Sequence, residues 1–323
     1  MLMTKFDKIL IGIRKSELSK AQTNIFVNEF NVSNDNKLNQ IFQIETVETT
    51  GDINKEHRLD QIGGKGLFVK EIEEKILKGE IDIGVHSLKD LPTTTSNEKL
   101  KIVCWMKRSD ARDVLISNSG KDIFGLPSKS IIGTSSIRRR SQILNVRKDL
   151  SIKLLRGNVD TRIKKLKNEE YDAIILSLAG LQRLKLQHLI TQILDPDIFL
   201  PAACQGAIGI QGLSDRGFEE FFSNINHEDS QLSCSSEREI LKIINANCNS
   251  PVSVFSKIRG DEMLISFQIY DHDGTELFKK NISGNKNNYV NLTKELGTEI
   301  LTKVGQKKIN ELDKLNYDFD YQA

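Results

Sequence analysis

The chain has 323 residues, of which 38% are hydrophobic and 28% charged, and its formal net charge is +2. That length accommodates two or three domains, and the composition is that of a folded globular protein rather than a disordered one. The charge is too small for non-specific nucleic-acid binding, no apolar run reaches the ~20 residues of a membrane helix, and Met1–Lys8 lacks a secretory pattern, so neither nucleic acid nor membrane is an expected partner. Cys104, Cys204, Cys234 and Cys248 form no CxxC pair and the five histidines no ligand-spaced cluster. A reducing, cytoplasmic compartment and no metal site are therefore expected.

Ile9–Ile13 reads as a strand that runs into Arg14-Lys15-Ser16 and then a helix with an apolar face at Leu18, Ala21, Ile25 and Phe26. Phe68–Leu77 has helical spacing with Gly79 as its stop signal, and Ile81–Val85 reads as a strand that delivers His86-Ser87-Leu88-Lys89-Asp90 before Pro92. The same unit recurs in Ile131–Gly133, Thr134-Ser135-Ser136 and a helix from Ile137, then in Ile152–Leu155, Arg156-Gly157-Asn158 and a helix carrying Ile163. Ala173–Leu178 is a further strand before another helix. Strands alternating with helices of this length predict parallel sheets covered on both faces, with ligands gathered at the carboxyl ends of the strands.

Beyond about residue 225 the pattern changes. A helix over Ser233–Ala246 leads to Cys248 and Pro251, followed by three strands with Asp273-Gly274 as a hairpin turn, and a helix over Tyr289–Val304. The expected fold class is α/β: two doubly wound domains plus a small α+β C-terminal domain with an antiparallel sheet.

Arg138, Arg139 and Arg140 fall in the first turn of a helix, where cations oppose the helix dipole by roughly 0.3–1 kcal/mol each at an exposed end. Backbone N–H groups, hydroxyls and guanidinium forks at such a place suit a carboxylate or phosphate, whereas the bland alternative is a solvated basic face. Arg14 with Ser16, Arg156 with Arg162, and Arg183 repeat the arrangement at other strand ends. The ligand therefore carries several anionic groups. Gly63-Gly64-Lys65-Gly66 is no phosphate loop, because Gly rather than Ser or Thr follows the lysine. Lys89-Asp90 pairs a carboxylate with a lysine at a strand end, fit for proton transfer, though an ordinary surface ion pair has the same spacing. Cys104 sits in an apolar run and reads as core filler. Cys248, before a Pro-containing loop, is a candidate reactive thiol, and Cys204 and Cys234 are left open.

These motifs together resemble the porphobilinogen deaminase (hydroxymethylbilane synthase) family. The resemblance rests on Ile11–Ser16, Gly63–Glu71, Val85–Pro92, Gly133–Arg139, Leu155–Arg162, Ala179–Leu184 and Leu200–Ala207, in the family's order and over nearly the whole chain. It implies two periplasmic-binding-protein-like domains, 1–106 with 206–224 and 107–205, and a C-terminal domain, 225–323, carrying the cofactor cysteine. It implies a dipyrromethane cofactor held by a thioether to Cys248. Lys89, Asp90, Thr134, Ser135, Ser136, Arg138, Arg139, Arg156, Gly157 and Arg162 would surround that cofactor. Arg14, Ser16, Lys65, Phe68, Ser87, Arg183 and Gln205 would bind the incoming porphobilinogen, with Asp90 and Lys89 as the catalytic pair.

The implied reaction joins four porphobilinogen molecules with loss of ammonia and then hydrolyses off a linear tetrapyrrole, and the family analogy implies a monomer. The family usually has Gly before the cofactor cysteine and Gln after it, where this chain has Asn247 and Asn249, and Cys204 stands where Gly is common. The alternative reading is a non-catalytic anion-binding protein of the same architecture. It accounts for the strand-end arginines but not for Cys248 or Lys89-Asp90.

Overall fold

A computed structural model describes residues 6–35, 41–50, 66, 69–94, 96–246 and 250–314. The chain divides into two compact units, Met1–Ser109 with Ala207–Gln231, and Asp110–Gly206 with Leu232–Ala323.

The first unit holds β1 (Ile9–Arg14), α1 (Glu17–Ser33), β2 (Phe42–Val47), α2 (Lys70–Lys78), β3 (Ile83–Ser87) and β4 (Leu100–Trp105). The second contributes β5 (Asp113–Ser117), β6 (Ile131–Gly133), α3 (Ile137–Val146), β7 (Ser151–Lys153), α4 (Val159–Lys167), β8 (Ala173–Ser177), α5 (Leu178–Arg183) and β9 (Gln192–Ile193). The chain then returns to the first unit with β10 (Ile208–Leu213) and α6 (Phe218–Phe221). It continues through α7 (Glu228–Ile243), β11 (Val252–Arg259), β12 (Glu262–Tyr270), β13 (Glu276–Asn285), α8 (Tyr289–Lys303) and α9 (Gln306–Lys314).

The alternating pattern gives two five-stranded sheets of the same plan, β2-β1-β3-β10-β4 and β7-β6-β8-β5-β9. In each, the first three strands are parallel, and the strand that arrives on crossing from the other unit, β10 or β5, inserts antiparallel. The first sheet buries Ile9, Ile11, Ile13, Ile83 and Val85 with Phe26 and Phe30 of α1, and Ile72 and Ile76 of α2 pack with Val47 and Leu100 in a separate core. Apolar strands covered on both sides are what a doubly wound sheet requires. The third sheet, β11-β12-β13, is wholly antiparallel and forms a separate small C-terminal domain whose core takes Ile240 and Ile244 from α7 and its continuation and Leu296 and Ile300 from α8.

Two details correct the sequence reading. The buried side of α1 is Ser19, Gln22, Thr23, Phe26 and Phe30, while Ile25 is exposed. Hydrogen bonds make the polar members acceptable inside: the Thr23 hydroxyl donates to the Ser19 carbonyl at 3.0 Å, and Gln22 Nε2 donates to Ser87 Oγ at 2.7 Å. Helix α7 begins at Glu228, ahead of the expected Ser233, because His227 Nδ1 accepts the Ser230 N–H at 3.1 Å and serves as its cap. Gly79 ends α2 in the left-handed conformation its position predicts.

Candidate active site

In the first unit the chemistry gathers at the carboxyl ends of β1 and β3. Ser16 caps α1 by accepting the Ser19 N–H at 3.1 Å, which fixes the turn that also presents Arg14. Where β3 ends, Leu88–Asp90 forms a 3-10 turn; Leu88 is buried and its N–H donates to the Ala207 carbonyl at 3.1 Å. This seats Lys89 half-buried and Asp90 exposed. Arg14, Ser16, Ser87 and Asp90 line one pocket together with Ser19, Gln22 and His86. Burial pushes the His86 imidazole down to about 4, with Arg14 acting in the same direction, so the ring is neutral at pH 7. Gln22 and His86 were missed by sequence reasoning. The signal for Gln22 was the polar stripe Ser19, Gln22, Thr23 at helical spacing on α1.

In the second unit the equivalent strand ends carry the cations. The Thr134 Oγ1 accepts the Ser136 N–H at 3.1 Å and Ser136 caps α3, accepting from the Arg139 N–H at 3.4 Å. Gly157, with φ +109, is at a position where a Cβ would lie 2.8 Å from Thr161. Its carbonyl accepts from Arg162 Nε at 2.7 Å, and Arg162 Nη2 lies 3.4 Å from Ser135 Oγ. Arg156 is half-buried at the start of this turn. Arg183, at the end of α5, donates to the Gly206 carbonyl at 2.6 Å and burial lowers it to about 10.

Arg138 and Arg139 are buried, not a solvated face. Arg138 donates to Asp113 Oδ2 at 2.8 Å, and through Nη1 to Gln142 Oε1 and the Leu200 carbonyl, both at 2.9 Å. Arg139 donates to Asp113 Oδ1 at 2.7 Å and to the Ile175 carbonyl at 2.9 Å. Burial alone would raise the Asp113 carboxyl, but Arg138 and Arg139 overcome this and hold it far below the usual carboxylate range. Gln205 is also buried and belongs to this cluster, donating to Asp113 Oδ1 at 2.8 Å and to the Ala111 carbonyl at 2.6 Å. Asp113 was not singled out from the sequence; Arg112-Asp113 before an apolar strand looks like any charged strand start. Lys65, Phe68 and Cys248 lie outside the described residues. Cys104 is buried, and burial pushes its thiol up to about 12, consistent with core packing. Among the described residues, Cys204, Cys234 and Glu237 are the one group with metal-ligand atoms within 4.8 Å of one another. Glu237 there accepts the backbone N–H groups of Cys204 and Ser256.

Residues 9–218 match the family model for the porphobilinogen deaminase dipyrromethane cofactor-binding domain, and residues 231–302 the porphobilinogen deaminase C-terminal domain. The chain belongs to the porphobilinogen deaminase family. The porphobilinogen deaminase of Clostridium beijerinckii is 38% identical over 299 residues, covering 91% of this chain and 99% of its own. That of Geobacter sulfurreducens is 39% identical over 307 residues, covering 95% of each. Among solved structures, the periplasmic aliphatic sulphonate-binding protein of Escherichia coli is similar over 73% of this chain and 70% of its own, at 13% identity and a TM-score of 0.40.

The second unit suits the anionic cofactor of a porphobilinogen deaminase. Two buried guanidiniums share a single carboxylate, which leaves one positive charge in excess. The Nε atoms of both Arg138 and Arg139 are buried with no hydrogen-bond partner. An orphaned buried donor costs about 1–3 kcal/mol, and an approaching carboxylate would remove both that cost and the charge imbalance.

Proposed function

We infer that the chain is a porphobilinogen deaminase, a transferase of porphyrin and haem biosynthesis that condenses four porphobilinogen molecules head to tail, releases ammonia, and frees the linear tetrapyrrole hydroxymethylbilane by hydrolysis. The observation that carries this reading is the pair of buried arginines with unpartnered Nε donors inside a chain matched to the dipyrromethane-binding domain. When bound through a thioether to Cys248, dipyrromethane supplies the nucleophilic pyrrole carbon on which product grows and the acidic side arms that anchor it. Arg138, Arg139, Arg156 and Arg162 neutralise carboxylates, because a guanidinium fork matches their planar geometry. The hydroxyls of Thr134, Ser135 and Ser136 and the Gly157 turn bring further polar groups to the same strand ends. Arg14, Ser16, Ser87, Lys65 and Phe68 receive porphobilinogen; in the second unit Arg183 offers its guanidinium to an anionic side arm, and Gln205, whose amide nitrogen donates to Asp113 and the Ala111 carbonyl, supports the arginine cluster rather than the substrate.

Asp90 accepts a hydrogen bond from pyrrole nitrogen, offsets the positive charge that develops there and moves the proton that must leave, with Lys89 as the second member of the catalytic pair. Residues 225–323 act as a domain of their own that carries Cys248, beside domains of 1–106 with 206–224 and of 107–205. The enzyme works as a cytoplasmic monomer, a placement supported by the buried free thiols of Cys104, Cys204 and Cys234.

Intact-protein mass tests the reading. The purified chain is expected to be heavier by two pyrrole units, to lose that increment in Cys248→Ser, and to consume porphobilinogen with release of ammonia. An unmodified chain with full activity would contradict it, and an unmodified, inactive chain that binds small carboxylates would favour the anion-binding alternative.

A further inference from the structure

We propose that Asp113 is a positioning residue for cofactor capture: it holds two cofactor-binding guanidiniums by one shared carboxylate, so that they present a fixed pair of donors with a single positive charge in excess. This rests on the reading of Arg138 and Arg139 as cofactor ligands.

Asp113 opens β5 and is 1% exposed. Its oxygens are divided between the arginines, Oδ2 to Arg138 at 2.8 Å and Oδ1 to Arg139 at 2.7 Å, with Gln205 on Oδ1 as well. The remaining bonds of the two Nη pairs go to Gln142 Oε1 and to the carbonyls of Leu200 and Ile175. Every hydrogen bond made by either side chain thus leaves from the Nη end, while each Nε is left over. Burial lowers the Arg138 guanidinium against the pull of Asp113, and repulsion from the adjacent Arg139 cation adds to it. Without the carboxylate the two forks would lose their common anchor at the moment they gained net charge. Position and charge therefore predict opposite effects of removing Asp113. If excess positive charge alone captured the cofactor, its loss would speed loading; if geometry governs capture, its loss slows it.

The measurement is the rate at which full-length apoprotein gains the two-pyrrole mass on incubation with porphobilinogen, expressed per folded molecule. Asp113→Asn is expected to load at least tenfold more slowly than the unaltered chain. A purely structural ion pair would lower the unfolding midpoint and leave that rate unchanged. Because Asp113→Asn leaves two unbalanced cations and is the variant most exposed to misfolding, a second comparison uses Arg138→Met alone against Arg138→Met with Asp113→Asn, in which a single cation remains. The double variant has the higher net charge yet is expected to load more slowly than Arg138→Met. Equal or faster loading by the double variant, or loading of folded Asp113→Asn at the unaltered rate, overturns the proposal. If Arg138→Met and Arg139→Met themselves load normally, it is the reading of the arginines as cofactor ligands that fails.

Discussion

Replacing Gly209 by alanine tests whether the position of Asp90 is set from beneath. Gly209 lies in β10 opposite His86 of β3, and a Cβ there would stand 2.3 Å from Leu88 Cδ2 and 2.8 Å from its Cγ. Leu88 is 1% exposed and tied through its N–H to the Ala207 carbonyl, so it has little room to retreat. Overpacking of this kind costs typically 1–3 kcal/mol, and the turn it displaces carries Asp90 two residues later. A misplacement of about 1 Å in a catalytic group can cost on the order of 100-fold in rate. Gly209→Ala is therefore expected to lose about 1–3 kcal/mol in urea unfolding and to lower kcat by roughly ten- to 100-fold, with the cofactor still present by mass. Gly212→Ala in the same strand is the control, since its Cβ would come no nearer than 3.3 Å to Ile83 and Phe218 and should have the milder effect on both readouts. Unaltered stability together with unaltered kcat in Gly209→Ala would refute the reasoning.

Asp90→Ala should reduce turnover by at least about 100-fold while intact mass still shows the cofactor, and a near-normal rate would remove Asp90 from the chemistry. His86 and His272 are both pushed down to about 4 by burial, from 6.5. Each contributes stability that is present in full above about pH 6.5 and lost as the pH falls toward 4, on the order of 3 kcal/mol per group. Urea midpoints should fall across that window and fall less in His272→Gln, and a flat profile in the unaltered chain would contradict both assignments. Gly157→Ala places a Cβ against Thr161 in a left-handed region that only glycine adopts easily, so it should destabilise the chain by about 1–2 kcal/mol and slow cofactor loading by disturbing the carbonyl that anchors Arg162. Calorimetry and the mass time course read the two effects separately, and no change in either would show that this turn tolerates a side chain.

The sheets were legible because a parallel strand buried on both faces leaves a short apolar run that a polar turn must interrupt. Ile9–Ile13, Ile131–Gly133 and Ala173–Leu178 all carry that mark. The inner face of α1 was not, because hydropathy alone assigns Ile25 inward and Gln22 outward, whereas the fold provides Gln22 with the Ser87 hydroxyl and leaves Ile25 exposed. The start of α7 was hidden for a similar reason: a histidine ring nitrogen does the capping that Ser, Thr, Asp or Asn usually does.

The candidate site divides along the same line. Three arginines in a first helical turn stand out because the helix dipole disfavours them, so Arg138 and Arg139 were visible without any contact being known. Their partner was not visible, because Asp113 reaches them through a strand that inserts antiparallel between β8 and β9. The same crossing geometry acts on Asp90. The first residue after β3, Leu88, donates its N–H to Ala207 just before β10, and the first residue after β8, Leu178, donates to Arg112 just before β5. Each unit thus ties the start of a functional turn to the strand that has just crossed into it. In the first unit that turn ends in an acid; in the second it continues as the helix ending in Arg183. The charged pair Lys89-Asp90 is legible in its residue types, but what fixes the start of its turn is a backbone carbonyl more than a hundred residues later, which no local pattern records.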